Sequence, residues 1–192
     1  LRVRLVLRAQ VGGVAGVDRR DRTAAPVDEH HLVPRDALAH GAFGVVACRG
    51  HQTEPTKDIT FASVVSRDSI RIAFLVAALN DLDILSADIS GAYLNAKAAE
   101  KVYTLAGKEF GPEKEGRVGV ITRALYGLRS SGRAWRDHMA ATLRDYGYTS
   151  CKADPDVWMR ARTKPDGFQY WSYILVYTDD ILIIDHEPQC AM

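Results

Sequence analysis

Cysteine is scarce in this chain of 192 residues: Cys48, Cys151 and Cys190 stand far apart, odd in number, with no CxxC pair. That spacing argues against a disulfide framework and a zinc site, and fits a reducing compartment. No run of about 18 apolar residues occurs, so no transmembrane helix is expected. The opening LRVRLVLR is interrupted by Arg2, Arg4 and Arg8 and lacks the unbroken apolar stretch of a signal peptide. Net charge is only +1, so any polyanion site must be local. Lysine is absent from residues 1–50, which carry eight Arg against five acids; the remainder carries 17 basic and 19 acidic residues. The chain begins without Met and reads as a fragment.

Hydrophobic residues make up 47% of the chain, enough to build the core of one domain. Residues 1–46 show no sustained periodicity beyond a candidate edge strand at 1–8 and read as divergent or poorly ordered. Asp28, Glu29, His30 and His31 read there as exposed loop polarity rather than a metal site. From about residue 57 the pattern changes. SRDSIRIAFLVAALND predicts a helix capped by Ser66, with Asp68 in its first turn. It is apolar nearly all round and is expected to be buried. LDILSADIS predicts a strand ending near Asp88, GAYLNA a turn or short helix, KVYTLAG and RVGVITRAL two strands around a glycine-rich loop. SSGRAWRDHMAATLRDYGY predicts a helix capped by Ser130 or Ser131, stopped by Gly147, with Trp135, Met139, Thr142 or Leu143, and Tyr146 on one stripe. PDVWMRART and FQYWSYILVY read as strands about a Pro165-Asp166-Gly167 turn, and ILIID as a returning strand. The order predicts an α+β fold with a mostly antiparallel sheet and helices packed on one face.

Asp179 and Asp180 fall between the apolar arms YILVY and ILIID. Adjacent Asp residues at a turn can be simply solvated. Yet both arms are apolar enough to lie inside a sheet, where adjacent carboxylates repel and resist burial unless a cation joins them. Asp88 ends another apolar strand, so three carboxylates would meet at one sheet edge. Hard divalent cations take such oxygen ligands, and two ions about 3.5–4 Å apart clamp an in-line phosphoryl displacement. The pattern suits nucleotidyl transfer.

YTDD resembles the YxDD signature of reverse transcriptases. ADISGAYLNA, RALYGLRSSGRAW and CKADPDVW, in this order, together with SVVSRDSIRIAFLVAA ahead of them, resemble the reverse transcriptase (RNA-directed DNA polymerase) of Ty1/copia-type retrotransposons over residues 47–186. The resemblance implies a polymerase palm with partial fingers over residues 47–192, ending before the thumb and RNase H regions. It implies Asp88, Asp179 and Asp180 as catalytic metal ligands for two Mg²⁺, with Mn²⁺ a substitute, and Ile89 offering a backbone carbonyl. Tyr93 would lie under the incoming sugar and favour dNTP; core packing is its alternative. Tyr126, Gly127 and Arg129 would form a nucleotide-binding turn, with Arg129 where the family usually has Lys. Arg123, Arg133 and Arg136, with Arg117, would meet primer-template phosphates; a solvated helix face also accounts for Arg133 and Arg136. Trp135 and Trp158 read as core anchors. The implied partners are primer-template, dNTP and the other polyprotein regions (thumb, RNase H, integrase), with no membrane. The implied location is intracellular, cytoplasmic in a virus-like particle or nuclear.

The sequence departs from this family at FGVVACRGH, where Phe43 and Val45 stand in place of a basic pair on a finger strand and Arg49 is displaced in the pattern. Thr178 replaces the usual Val. Two functional expectations follow: a reverse transcriptase fragment, or a truncated relic that keeps the palm fold without activity.

Overall fold

The computed structural model of the chain describes residues 60–191 and three short strands at 32–33, 38–40 and 46–48. The edge strand expected at 1–8, the acidic and histidine cluster at 28–31, Phe43, Val45 and Arg49 lie outside the described residues, as does most of the segment expected to be irregular. The described residues divide into two compact units. One takes in residues 62–92 and 139–191, the other residues 93–138 and the three short strands.

In the first unit, α1 (Arg67–Leu79) starts where the Ser66 side chain accepts the Ser69 N–H at 3.1 Å, satisfying one of the orphan donors of a helix start. It ends at Asn80, whose side-chain amide donates to the Val76 carbonyl at 2.8 Å; Asp81 then turns left-handed, with φ 50°. β4 (Asp83–Asp88), β7 (Thr149–Ser150), β8 (Val157–Thr163), β9 (Gln169–Tyr177) and β10 (Asp180–Asp185) form an antiparallel sheet of order β4-β10-β9-β8-β7. The expected turn at Pro165-Asp166-Gly167 links β8 to β9, with Gly167 at φ 90° and its N–H on the Lys164 carbonyl at 2.9 Å.

Strand register assigns the faces, because residues directly opposite in an antiparallel pair share one. Ile84, Ile184, Leu182, Leu175, Tyr173 and Val157 line one face, and Ala73 and Ala77 of α1 pack there. Leu85, Ile183, Ile174, Ser172, Trp158 and Arg160 line the other. Residues from the end of α3 (Ser131–Asp145) and just beyond it touch that second face. The Arg144 guanidinium lies 5.4 Å from the Trp158 ring centroid, Arg160 Nη1 donates to the Tyr146 carbonyl at 2.6 Å, and the Tyr148 and Ser172 hydroxyls share a 2.8 Å hydrogen bond. The helices therefore do not pack on one face, as expected from the order of elements; they take opposite faces. A sheet apolar on both sides needs cover on both.

The expected burial of α1 is also corrected. Its alanine side meets the sheet, while Ile72, Leu75 and Leu79 remain 62%, 59% and 75% exposed. α3 ends as expected: Gly147 adopts φ 81° and the Tyr148 N–H reaches back to the Leu143 carbonyl at 2.9 Å, a Schellman closure. Trp135, Met139 and Leu143 are buried as the stripe predicts, but Tyr146 is exposed.

In the second unit, β5 (Lys97–Leu105) pairs antiparallel with β6 (Val118–Arg123) and parallel with β1 (Leu32–Val33). β2 (Leu38–His40) and β3 (Val46–Cys48) pair antiparallel. The short α2 (Ala92–Asn95) lies at the division between the units. Val102, Ile121, Leu125 and Leu128 form a core with Leu94 against them. Ser130 and Ser131 act as donors, to Glu100 Oε1 at 2.8 Å and to the Leu125 carbonyl at 2.6 Å.

Three described carboxylates of the first unit are buried: Asp154, Asp156 and Asp185. Asp185 is fully buried; its Oδ1 accepts the Tyr170 hydroxyl at 2.8 Å and the Glu187 N–H at 3.1 Å. Burial, and then Asp185 itself, raise the Tyr170 phenol above its ordinary pKa. Asp154 Oδ2 accepts the Ser66 N–H at 2.9 Å and the Ser69 hydroxyl at 2.6 Å, and its Oδ1 accepts the Asp156 N–H at 3.1 Å. Burial pushes the Asp154 carboxyl up, but these hydrogen bonds outweigh it and hold the group below its ordinary value. A folded-state pKa below the unfolded one adds stability above the unfolded value, about 3.9, and that stability is lost as pH falls through the lowered value. Acid titration of the fold therefore should show a limb below about pH 4 that Asp154→Asn flattens. Denaturant melts at neutral pH should find Tyr170→Phe less stable by about 1–3 kcal/mol, because a buried carboxylate loses a donor.

Candidate active site

Tyr177 and Asp180 close the β9–β10 hairpin as a cross-strand pair, leaving Thr178 and Asp179 as its two loop residues. Two-residue hairpins need a turn whose twist matches that of the strands. Thr178 supplies it with φ 56°. Asp179 is not left-handed, so the turn has the positive φ at its first central position only, the place glycine usually takes in a type II′ turn. A β-branched residue there is strained, and such strain persists only where the surroundings over-determine the conformation.

Asp88, the last residue of β4, is the direct cross-strand partner of Asp180. Their Cα atoms are therefore about 4.5–5.5 Å apart in an antiparallel ladder, with both side chains on one face. The Ile89 N–H donates to the Asp179 carbonyl at 2.8 Å and pins the chain leaving β4 to the hairpin tip. The backbones of Asp88, Asp179 and Asp180 thus meet at one end of the β4 edge of the sheet. Asp88 and Asp180 are exposed and Asp179 is half-buried. Among the described residues no three acidic, histidine or cysteine side chains are drawn together closely enough to hold an ion. The donor chemistry nonetheless suits a hard divalent cation: oxygen ligands, anionic, carried by rigid strand ends.

The remaining sequence candidates belong to the second unit. The Tyr93 and Tyr126 rings lie 4.6 Å apart at 39°. Leu125 to Leu128 form a turn closed by the Leu128 N–H on the Leu125 carbonyl at 3.2 Å, with Gly127 at φ 93°. Glycine is required there by the type II geometry. Arg129 and Arg123 are exposed, and Arg123 Nη1 donates to the Asn95 carbonyl at 3.0 Å. Arg133 Nε donates to Asp137 Oδ2 at 2.7 Å, one helical turn on. That intrahelical pair is what a solvated helix face presents, and Arg136 is half-buried beside it in sequence. Trp135 and Trp158 are each 4% exposed and are core residues, as expected.

Sequence reasoning missed the left-handed Thr178 and the hydrogen-bonding of Asp154 and Asp156. The two loop residues counted between alternating arms were the available signal for the first, and the paired acids flanking Pro155 for the second.

The geometry makes two predictions about stability without metal. Thr178→Gly should raise the urea midpoint, because about 1–2 kcal/mol of left-handed strain is relieved against about 0.5–1 kcal/mol of added chain entropy. Asp88→Asn should stabilise the metal-free fold by about 0.2–1 kcal/mol, since like charges directly opposite weaken a ladder; a lower midpoint would contradict the paired register.

A family profile described as reverse transcriptase (RNA-dependent DNA polymerase) matches residues 37–190. The chain is 30% identical over 146 residues to the retrovirus-related Pol polyprotein from transposon RE1 of Arabidopsis thaliana, covering 74% of this chain and 10% of that protein. It is 29% identical over 128 residues to the Pol polyprotein from transposon TNT 1-94 of Nicotiana tabacum, covering 66% and 9%. It is also 28% identical over 103 residues to the putative transposon Ty5-1 protein YCL074W of Saccharomyces cerevisiae, covering 53% and 32%. The chain spans about a tenth of the length of the plant polyproteins it matches. No solved structure matches it. With four-fifths of its length inside the family match and its similarity running to transposon Pol polyproteins, the chain belongs to the reverse transcriptase family, of the Ty1/copia type.

Proposed function

We propose that this chain is the palm, with partial fingers, of an RNA-directed DNA polymerase that works within a retrotransposon Pol polyprotein. The observation that carries the reading is the cross-strand pairing of Asp88 with Asp180, with Asp179 one residue away in a turn tied to Ile89. Asp88, Asp179 and Asp180 would hold two Mg²⁺, for which Mn²⁺ can substitute, and the Ile89 carbonyl would add a donor. Bound there, the ions supply activation of a primer hydroxyl and neutralisation of the triphosphate. The strand ends hold the carboxylates in fixed register, so little reorganisation is needed when phosphate arrives.

In the second unit Tyr93 would form the floor under the incoming sugar and exclude a 2′-hydroxyl, selecting dNTP. The turn at Tyr126 and Gly127 presents backbone without a Cβ at Gly127, and Arg129 follows it as a phosphate contact. Arg123, Arg133 and Arg136 would meet primer-template phosphates, where Arg133 would have to exchange Asp137 for phosphate. The thumb, RNase H and integrase regions of a parent polyprotein are the proposed partners.

A second reading, an inactive relic, is favoured by Phe43 and Val45 at positions where the resembling family carries basic residues. Losing a buried charge contact to phosphate costs about 2–5 kcal/mol, or a few decades in rate. On its own the chain is therefore expected not to extend a primer. Mn²⁺ titration of the full chain should show binding that Asp88→Asn and Asp179→Asn each weaken more than tenfold; equal binding by wild type and variants would remove the proposed metal site. Primer extension with Mg²⁺ or Mn²⁺, present in the wild type and lost in Asp179→Asn, would overturn the inactive reading.

A further inference from the structure

β8 begins at Val157, so β9 outruns it toward the hairpin, and Val176 has no strand residue of β8 beside it. A different arrangement takes over that edge. The Val176 N–H donates to the Asp156 carbonyl at 3.0 Å, and the Val65 N–H donates to the Val176 carbonyl at 3.0 Å. Val176 directly precedes Tyr177 and the strained Thr178. Both strips of chain that grip Val176 are tied together by side chains. Asp156 Oδ2 accepts the Ser63 hydroxyl. Asp154 accepts the Ser66 N–H at 2.9 Å and the Ser69 hydroxyl at 2.6 Å on Oδ2, and the Asp156 N–H at 3.1 Å on Oδ1. Both carboxylates are buried, at 9% and 3% exposure.

We infer that Asp154 and Asp156 are positioning residues for the acidic hairpin. They form a clamp that locks residues 63–69 and 154–156 onto β9 one residue before the turn that carries Asp179. β10 and β4 support the hairpin from one side only, through the Asp180–Asp88 pair and the Ile89–Asp179 bond. A left-handed threonine relaxes unless its neighbours hold it. The clamp supplies the opposite side, and Pro155, with its fixed φ, limits the freedom of the segment between the two acids. Capping α1 accounts for Asp154 on Ser66 and Ser69. It does not account for Asp156 on Ser63 or for the two backbone bonds to Val176.

This role rests on the metal-site reading of the hairpin, and its test separates the two. In the full chain without metal, hydrogen exchange of the Ile89 amide reads the hairpin, and the interior amides of β4 and β10 read the fold as a whole. Asp154→Asn and Ser63→Ala should each speed Ile89 exchange at least tenfold more than the interior amides, and weaken Mn²⁺ binding at least threefold in the folded chain. Ile84→Val, a core change far from the turn, should shift Ile89 and the interior amides together. Equal acceleration at Ile89 and the interior in the clamp variants, or no change at Ile89, overturns the inference. If Asp154→Asn does not fold, Ser63→Ala, which keeps both carboxylates, decides it. If the wild type binds no Mn²⁺, the metal-site reading fails while the exchange ratio still decides the clamp.

Discussion

The pairing of β10 with β4 is the constraint on which the rest of the candidate site depends. Because the two strands run antiparallel with Asp180 opposite Asp88, two carboxylates from residues far apart in sequence are held on one face at one sheet edge. A slip of one residue would send Asp180 to the other side of the sheet, among Ile181, Ile183 and the buried Asp185. Packing on both faces of the sheet opposes that slip, since every core side chain would change neighbours. Ile84 and Ile184 share one face and Leu85 and Ile183 the other, all buried. The core therefore sets the register, and the register sets the acid pair.

Such a pair works against the fold that holds it. Opposed like charges weaken the ladder, and a left-handed threonine adds strain at the same point. These two local costs sit at the end of a strand pair whose other five positions are largely apolar or buried. What the register fixes is the backbone: Asp88 and Asp180 stand opposite each other and Asp179 is tied to Ile89 at the same sheet edge.

The exposed side of α1 has no such account. Ile72, Leu75 and Leu79 form an apolar stripe on a helix whose alanine side already meets the sheet. An apolar stripe of this kind ordinarily lies against another surface, and the chain covers only about a tenth of the polyproteins it resembles.

Much of the local structure was legible in the residues alone. Ser66 and Asp68 marked the start of α1, Gly147 the end of α3, Pro165-Asp166-Gly167 the β8–β9 turn, and the apolar arms about Asp179 and Asp180 a hairpin, because each signal acts within a few residues. The position of Asp88 at a strand end was equally local. What depended on the folded chain was every relation across it: Asp88 opposite Asp180, helices on both faces of the sheet instead of one, Thr178 in the left-handed region, and Asp154 and Asp156 holding segments some 85 to 93 residues away. Those relations come from packing and register between distant segments. Periodicity records which residues face inward, but it carries no information about which partner they meet there.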